Sequence, residues 1–310
     1  MIREMKISGM LLCLALCAAC SSDSDDMAQE PVVPQQSYPL TIEVTENPLI
    51  VDGEEGSGSN KAAITTTSTL ESFNLNYWYG VSATGAISPA PSKDTEGKWT
   101  TTGSWPSEDP SVTVNWYAST NGTFNLNGGN PYINFTVEEL ASNQKDLLVA
   151  TASGTYSGTG GKLSFTFDHA CSALRFYVKK ATNLDGYTLT VTNIVLKHVV
   201  KQGSYYYGTG EWTRDEVRTD YTLFSGSKAL TSTTEYQLLN GTESNAYLFV
   251  IPQTLTGGTG ATETYIEVAW ESNYGGTSSG TAKIPLTKTL EKGNQYNVKI
   301  NIGTTTLTTL

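Results

Sequence analysis

The chain has 310 residues, 30 of them acidic and 19 basic, for a net charge of −11. That length holds one large domain or two ordinary ones, and the acidic balance argues against nucleic acid as a partner. The two histidines, His169 and His198, do not stand at metal-ligand spacing.

The first residues predict export. Arg3 and Lys6 precede an apolar run at 10–19 that is too short to span a bilayer stably, and Cys20 follows Ala18 and Ala19. A Cys at the end of such a core resembles the lipobox of bacterial lipoproteins. The resemblance implies a signal peptide of residues 1–19, cleavage before Cys20 and acylation of its thiol. Cys17 stands where the box usually has an aliphatic residue, and an ordinary signal peptide cut near Ala19 is the other reading. The acidic run Ser21-Ser22-Asp23-Ser24-Asp25-Asp26 reads as a solvated linker. Beside a lipidated Cys it also resembles the surface-export signal of some Gram-negative lipoproteins, which implies display on the outer leaflet of the outer membrane. No second apolar run is long enough to cross a membrane, so the lipid is the expected anchor.

A polar, proline-bearing tether over 20–37 has no periodicity. Period-two alternation then takes over and predicts strands. Leu40, Ile42 and Val44 alternate with Thr41 and Glu43, and similar runs stand at 73–79, 112–117, 132–137, 163–167, 174–178, 187–191, 247–251, 265–270 and 296–302. Glycine and asparagine clusters at 121–122, 127–130, 158–161 and 257–260 supply turns. The best helical candidate is one or two turns at 137–141. Short alternating strands divided by turns predict an all-β protein of two tandem antiparallel β-sandwiches, and exclude a parallel sheet covered on both faces. The expected domains are 38–157 and 158–310.

Little in the chain points to catalysis. There is no nucleophile elbow and no phosphate-cradling loop. Cys171, in the apolar phrase Ala170-Cys171-Ser172-Ala173-Leu174, reads as a small buried hydrophobe, with His169 on the same strand face and no third partner. Asp215 and Glu216 are adjacent and so point to opposite faces. Asp52, Glu54 and Glu55 lack the ordered spacing of a calcium loop. The sequence therefore predicts no catalytic residue, no metal and no cofactor, and a protein that is not an enzyme. Tyr205, Tyr206, Tyr207 and Trp212, in a glycine-rich stretch, are either a sugar-stacking face or aromatics that cap the end of a sandwich.

Three segments carry a family resemblance. Phe165-Thr166-Phe167-Asp168-His169-Ala170 with Leu174 resembles the F-x-F-x-H-A-x-x-x-L strand of fimbrillin-like proteins. Tyr247-Leu248-Phe249-Val250-Ile251-Pro252-Gln253 resembles their apolar strand ending in Pro-Gln. Leu290-Glu291-Lys292-Gly293 with Tyr296 and Val298 resembles their closing strand. The resemblance spans most of the exported part and implies two transthyretin-like sandwiches in a subunit of type V pili. It implies that a surface protease removes the lipidated N-terminal segment with its first strand, and that another subunit's strand fills the groove. On this chain the leaving strand would carry Leu40, Ile42 and Val44, with 49–51 as an extension. Lys61, before Ala62, stands where the family commonly has the Arg that is cleaved. The short threonine-rich segment 303–310 departs from the longer donor strands of shaft subunits, which implies a tip or minor adhesive subunit. The competing expectation is a monomeric, lipid-anchored surface protein that binds glycan through Tyr205, Tyr206, Tyr207 and Trp212.

Overall fold

The computed structural model describes residues 38–52, 63–64, 70–239, 247–273, 276, 278–303 and 307–309, with backbone alone at 51–52, 63–64 and 307–309. Cys20, Lys61, Ala62, Glu54 and Glu55 lie outside the described residues.

The protein is all-β. In chain order the strands are β1 (Thr41–Glu46), β2 (Leu49–Asp52), β3 (Ala63–Ile64), β4 (Asn74–Tyr79), β5 (Ala83–Ala86), β6 (Ser92–Lys93), β7 (Trp99–Thr100), β8 (Val114–Ser119), β9 (Thr123–Asn127), β10 (Asn130–Thr136), β11 (Leu148–Gly154) and β12 (Lys162–His169). The chain continues through β13 (Ser172–Lys180), β14 (Leu189–Val200), β15 (Gln202–Tyr206), β16 (Glu211–Arg214), β17 (Arg218–Leu230), β18 (Gln237–Leu238), β19 (Leu248–Val250), β20 (Thr254–Leu255), β21 (Tyr265–Ser272), β22 (Ser278–Pro285), β23 (Lys288–Thr289), β24 (Asn294–Ile302) and β25 (Leu307–Thr309).

One sheet runs in the order β1-β12-β11-β8-β4-β5, and a second in the order β16-β15-β10-β9. A third runs β18-β13-β24-β2-β3, with β19 also on β13 and β25 also on β24. The fourth is β17-β14-β21-β22. Most pairings are antiparallel, as expected, but β1–β12, β13–β24 and β2–β24 run parallel. Alternation along a strand is the same for either direction of its neighbour, so sequence pattern alone does not distinguish them.

The apolar positions gather into two clusters. The first cluster takes Leu40 just ahead of β1, Ile42 of β1, Leu75 of β4, Trp116 of β8 and Leu163, Phe165 and Phe167 of β12. The second joins Leu174, Phe176, Ile300 and Ile302 of the third sheet to Val191, Ile194, Tyr221, Ile266 and Val268 of the fourth. β11 and the residue ahead of it serve both: Leu147 and Val149 face the second cluster, while Leu148 and Ala150 face the first. A strand with period two has two faces, and here each face meets a different core.

The expected helical turns at 137–141 are not where the helical structure lies. Val137 is buried in the second cluster, and a single 3₁₀ turn follows at Ala141–Asn143. A four-residue helix, α1 (Tyr156–Thr159), sits instead in the glycine-rich stretch. The Oγ1 of Thr155 caps it by accepting from the Gly158 N–H at 3.0 Å, and Gly160 ends it in the left-handed conformation. Here the capping residue and terminal glycine outweigh weak apolar periodicity.

Trp116 is fully buried, edge-on to Trp105 at 5.3 Å and to Tyr77 at 5.8 Å. Its indole N–H has no acceptor among the described residues. Trp116→Ala should therefore cost about 3–5 kcal/mol in urea denaturation, through the cavity it leaves. Trp116→Phe should cost much less, because it keeps most of the ring and removes the unmatched donor. Equal losses for the two variants would contradict this packing.

Candidate functional site

The first strand is an edge strand. β1 pairs with β12 and with no other strand named above, in a register that sets Thr41 opposite Lys162 and Glu46 opposite Phe167. Its N-terminal end is held by further backbone bonds: Thr41 N–H donates to the Gly161 carbonyl at 2.9 Å, and Trp105 N–H to the Tyr38 carbonyl at 2.7 Å. Gly161 has φ +80°, and a Cβ there would collide with the Pro39 carbonyl. Glycine is therefore needed where β1 enters the sheet.

The two faces of β1 differ. Leu40 and Ile42 are buried, and Val44 packs partly buried against the first cluster. They cover the inward residues of β12: Leu163, Phe165 and Phe167 are 2%, 1% and 0% exposed. The outward face is a row of polar cross-strand contacts. Glu43 pairs with Lys162 at 2.7 Å and accepts from the Ser164 hydroxyl at 3.3 Å. The hydroxyls of Thr45 and Thr166 lie 2.9 Å apart, and the Asn47 amide donates to Asp168 at 2.7 Å. The Lys162 hydrogen bond is the main cause that holds the Glu43 carboxyl below its ordinary range.

At the end of β1 the inward face turns from apolar to charged. Glu46 Oε1 lies 3.6 Å from Nε2 of His169, within ion-pair reach but beyond a hydrogen bond. The other ring nitrogen of His169 is hydrogen-bonded to Asp146. The side chains of His169 and Asp146 are 1% and 3% exposed, and that of Glu46 is 26% exposed. Burial acts to lower the histidine pKa. The Asp146 hydrogen bond and the charges of Asp146 and Glu46 outweigh it, so the imidazole is held above its ordinary value.

The chain then crosses from one sheet to another. Asn47 N–H donates to the Phe167 carbonyl and Ile50 N–H to the Gly293 carbonyl, both at 2.8 Å. β2 lies beside β24, with Ile50 opposite Asn294 and Asp52 opposite Tyr296. One stretch of chain, 41–52, thus lines β12 in the first sheet and β24 in the third.

The aromatic residues singled out in the sequence are divided between the core and the surface. Tyr205 is buried, and burial pushes its pKa up to about 12. Tyr207 packs against the second cluster and donates its hydroxyl to the Ala118 carbonyl at 2.9 Å. Trp212 packs there too, donating its indole N–H to the Ala170 carbonyl at 2.8 Å. Tyr206, half-buried, stacks on Tyr132 with ring centroids 5.2 Å apart. A stacking face for sugar is thereby reduced to Tyr206 and Tyr132. Asp215 accepts from the Gln202 amide at 2.8 Å, and Cys171 is fully buried, its thiol pKa pushed well up by burial. Among the described residues no group of three or more His, Cys, Asp or Glu side chains is placed to hold a metal ion.

Asp146 and Glu46 were not singled out from the sequence. Each carries a faint signal: Glu46 continues the inward period of Leu40, Ile42 and Val44, and Asp146 directly precedes the buried run Leu147-Leu148-Val149.

The fold and this site define an all-β protein whose first strand is a one-sided edge, spliced into two sheets and tied down at a buried charge. The family model for fimbrillin-like proteins matches residues 57–310, and the chain belongs to the fimbrillin-like family. A solved fimbrial protein from Bacteroides vulgatus ATCC 8482 is similar at a TM-score of 0.61 and 15% identity, over 87% of this chain and 97% of that one. A fimbrial assembly protein from Parabacteroides distasonis ATCC 8503 is similar at 0.44 and 9%, over 88% and 94%. At such identity the first likeness speaks to the fold alone. No curated protein matches the chain.

Because the folded pKa of His169 is raised, its contribution to stability is complete below the unfolded value of about 6.5 and drains away as pH rises through the folded value. Urea denaturation of wild type and His169→Gln should show a stability gap that is widest near pH 6 and narrows towards pH 8.5. A gap independent of pH would mean that the histidine charge contributes nothing.

Proposed function

We propose that the protein is a structural subunit of a surface pilus that supports adhesion, exported as a lipoprotein and assembled by strand addition. Cys20 carries the lipid and holds the precursor at the outer membrane, exposed to the outside. Cleavage between Lys61 and Ala62 frees β1 and β2, and an extended strand of another subunit takes their place, leaving the protein in an extracellular fimbrium. The two apolar clusters are the cores of two tandem sandwiches, with the strand Lys162–His169 completing the first.

The observation that carries this reading is the one-sided pairing of β1 over a fully buried apolar row on β12. An edge whose loss uncovers both backbone groups and an apolar row is a template for another strand. Keeping the chain's own strand in place until cleavage prevents premature polymerisation. A tip or minor position fits the pairing of β25 with the chain's own β24. Deleting residues 303–310 should then leave incorporation into pili intact.

N-terminal sequencing and mass measurement of the surface-released form should find a chain beginning at Ala62. Lys61→Ala should leave the longer, acylated chain in the membrane fraction. A pilus-associated form that still begins at acylated Cys20 would overturn the release of β1.

A further inference from the structure

We propose that the edge vacated by β1 selects its incoming strand by charge as well as by shape. It takes a segment of another chain, running parallel to β12, that has large apolar residues at three alternating positions and a carboxylate at the fourth. The inference rests on the strand-addition reading above and specifies the partner. In the present chain the four positions are Leu40, Ile42, Val44 and Glu46.

Ile42, Val44 and Glu46 stand opposite Leu163, Phe165 and Phe167, and the Glu46 carboxylate reaches past Phe167 to the next inward residue. Beyond Phe167, the inward position of β12 is His169, whose side chain is 1% exposed and has one nitrogen engaged by Asp146. Its second nitrogen, Nε2, has no side-chain hydrogen-bond partner among the described residues; it faces the Glu46 carboxylate at 3.6 Å, with the backbone of Asn47 beside it. When β1 leaves, that ring nitrogen and the imidazole, held above its ordinary pKa by Asp146 and Glu46 against burial, are left at the end of the groove.

An incoming apolar residue at this register would leave the imidazole without the facing carboxylate, which is costly in a buried place. An incoming lysine would set one cation against another. A carboxylate restores the present arrangement, and an amide restores the acceptor without the charge. The groups that face the imidazole are therefore Asp146 from the loop ahead of β11, Glu46 from β1 and the backbone of Asn47. Residues 303–310 of this chain contain no Asp or Glu at any alternating position.

The exported chain, cut between Lys61 and Ala62, can be incubated with fluorescent peptides of residues 38–52 carrying Glu, Gln, Leu or Lys at position 46, and uptake followed by anisotropy. At pH 6 the Glu peptide should be taken up at least about tenfold more tightly than the Leu and Lys peptides, a difference of about 1.4 kcal/mol or more. Gln should fall between, and the Glu-to-Gln ratio should shrink towards one by pH 8.5. The same ratio should be near one in His169→Gln; should that variant fail to fold, the pH series on the wild type decides. Equal uptake of all four peptides at both pH values would overturn selection by charge and leave strand addition standing. Uptake of none of them, the native sequence included, would overturn strand addition and this inference with it.

Discussion

β1 holds to the rest of the protein through backbone bonds along one side and through an inward row of apolar side chains. Each kind of contact makes the other necessary. Without the strand, β12 would expose a line of unpaired N–H and C=O groups, which cost free energy unless water or another strand pairs them. It would also expose Leu163, Phe165 and Phe167, now 2%, 1% and 0% exposed. Burying a residue such as Leu40 or Ile42 contributes about 1.5–3 kcal/mol. The strand is therefore firmly seated while covalently attached, and the site it fills stays adhesive once it goes. The outward pairs, Glu43 with Lys162 and Thr45 with Thr166, are exposed and add little to that balance.

The charged end of the groove lies where the two cores meet. Leu148 of β11 stands opposite His169 of β12, and from this point the chain passes into Ala170 and Cys171, which pack in the second core. Asp146 stands just ahead of the strand whose two faces serve both cores. A buried carboxylate here is tolerable because the imidazolium neutralises it and donates to it. The same pair anchors Glu46 and, through Asn47, the start of the crossing to β24. Displacement of β1 is thus felt at the junction of the two cores and not merely at a surface edge.

Much of this was legible in the sequence because period two is a strong signal wherever one face is buried. β12 alternates without a fault, and Leu40, Ile42 and Val44 read directly as an inward face. Strands rich in small polar residues did not read. β22, Ser278–Pro285, and β17, Arg218–Leu230, carry Gly, Ser and Thr where a strong pattern would have larger groups, and their pairing with β21 and β14 decides them. The aromatic stretch was ambiguous for a related reason. Tyr205 points inward and Tyr206 outward on the same strand, and the turn after β15 brings Tyr207 back against the second core. Asp146 and Glu46 were hidden because a carboxylate at the end of a strand reads as solvated until the distant His169 is placed beside it.

Apolar alternation alone leaves one freedom that matters at such an edge. A strand that slides by two residues along β12 keeps every inward side chain inward, so Leu, Ile and Val can exchange places with modest cost. The slide is not neutral at the charged position. In one direction it carries Glu46 away from His169 and against Phe165; in the other it sets Val44 opposite Phe167 and Glu46 opposite His169 itself. In the first case a carboxylate is buried among aromatic rings and the imidazole loses its facing charge; in the second the strand leaves the apolar register it now fills. The three apolar contacts therefore give the strand its hold on the groove, whereas the fourth, ionic one sets its register. A register so set also fixes where the following residues begin their crossing, so that β2 reaches β24 with Ile50 opposite Asn294.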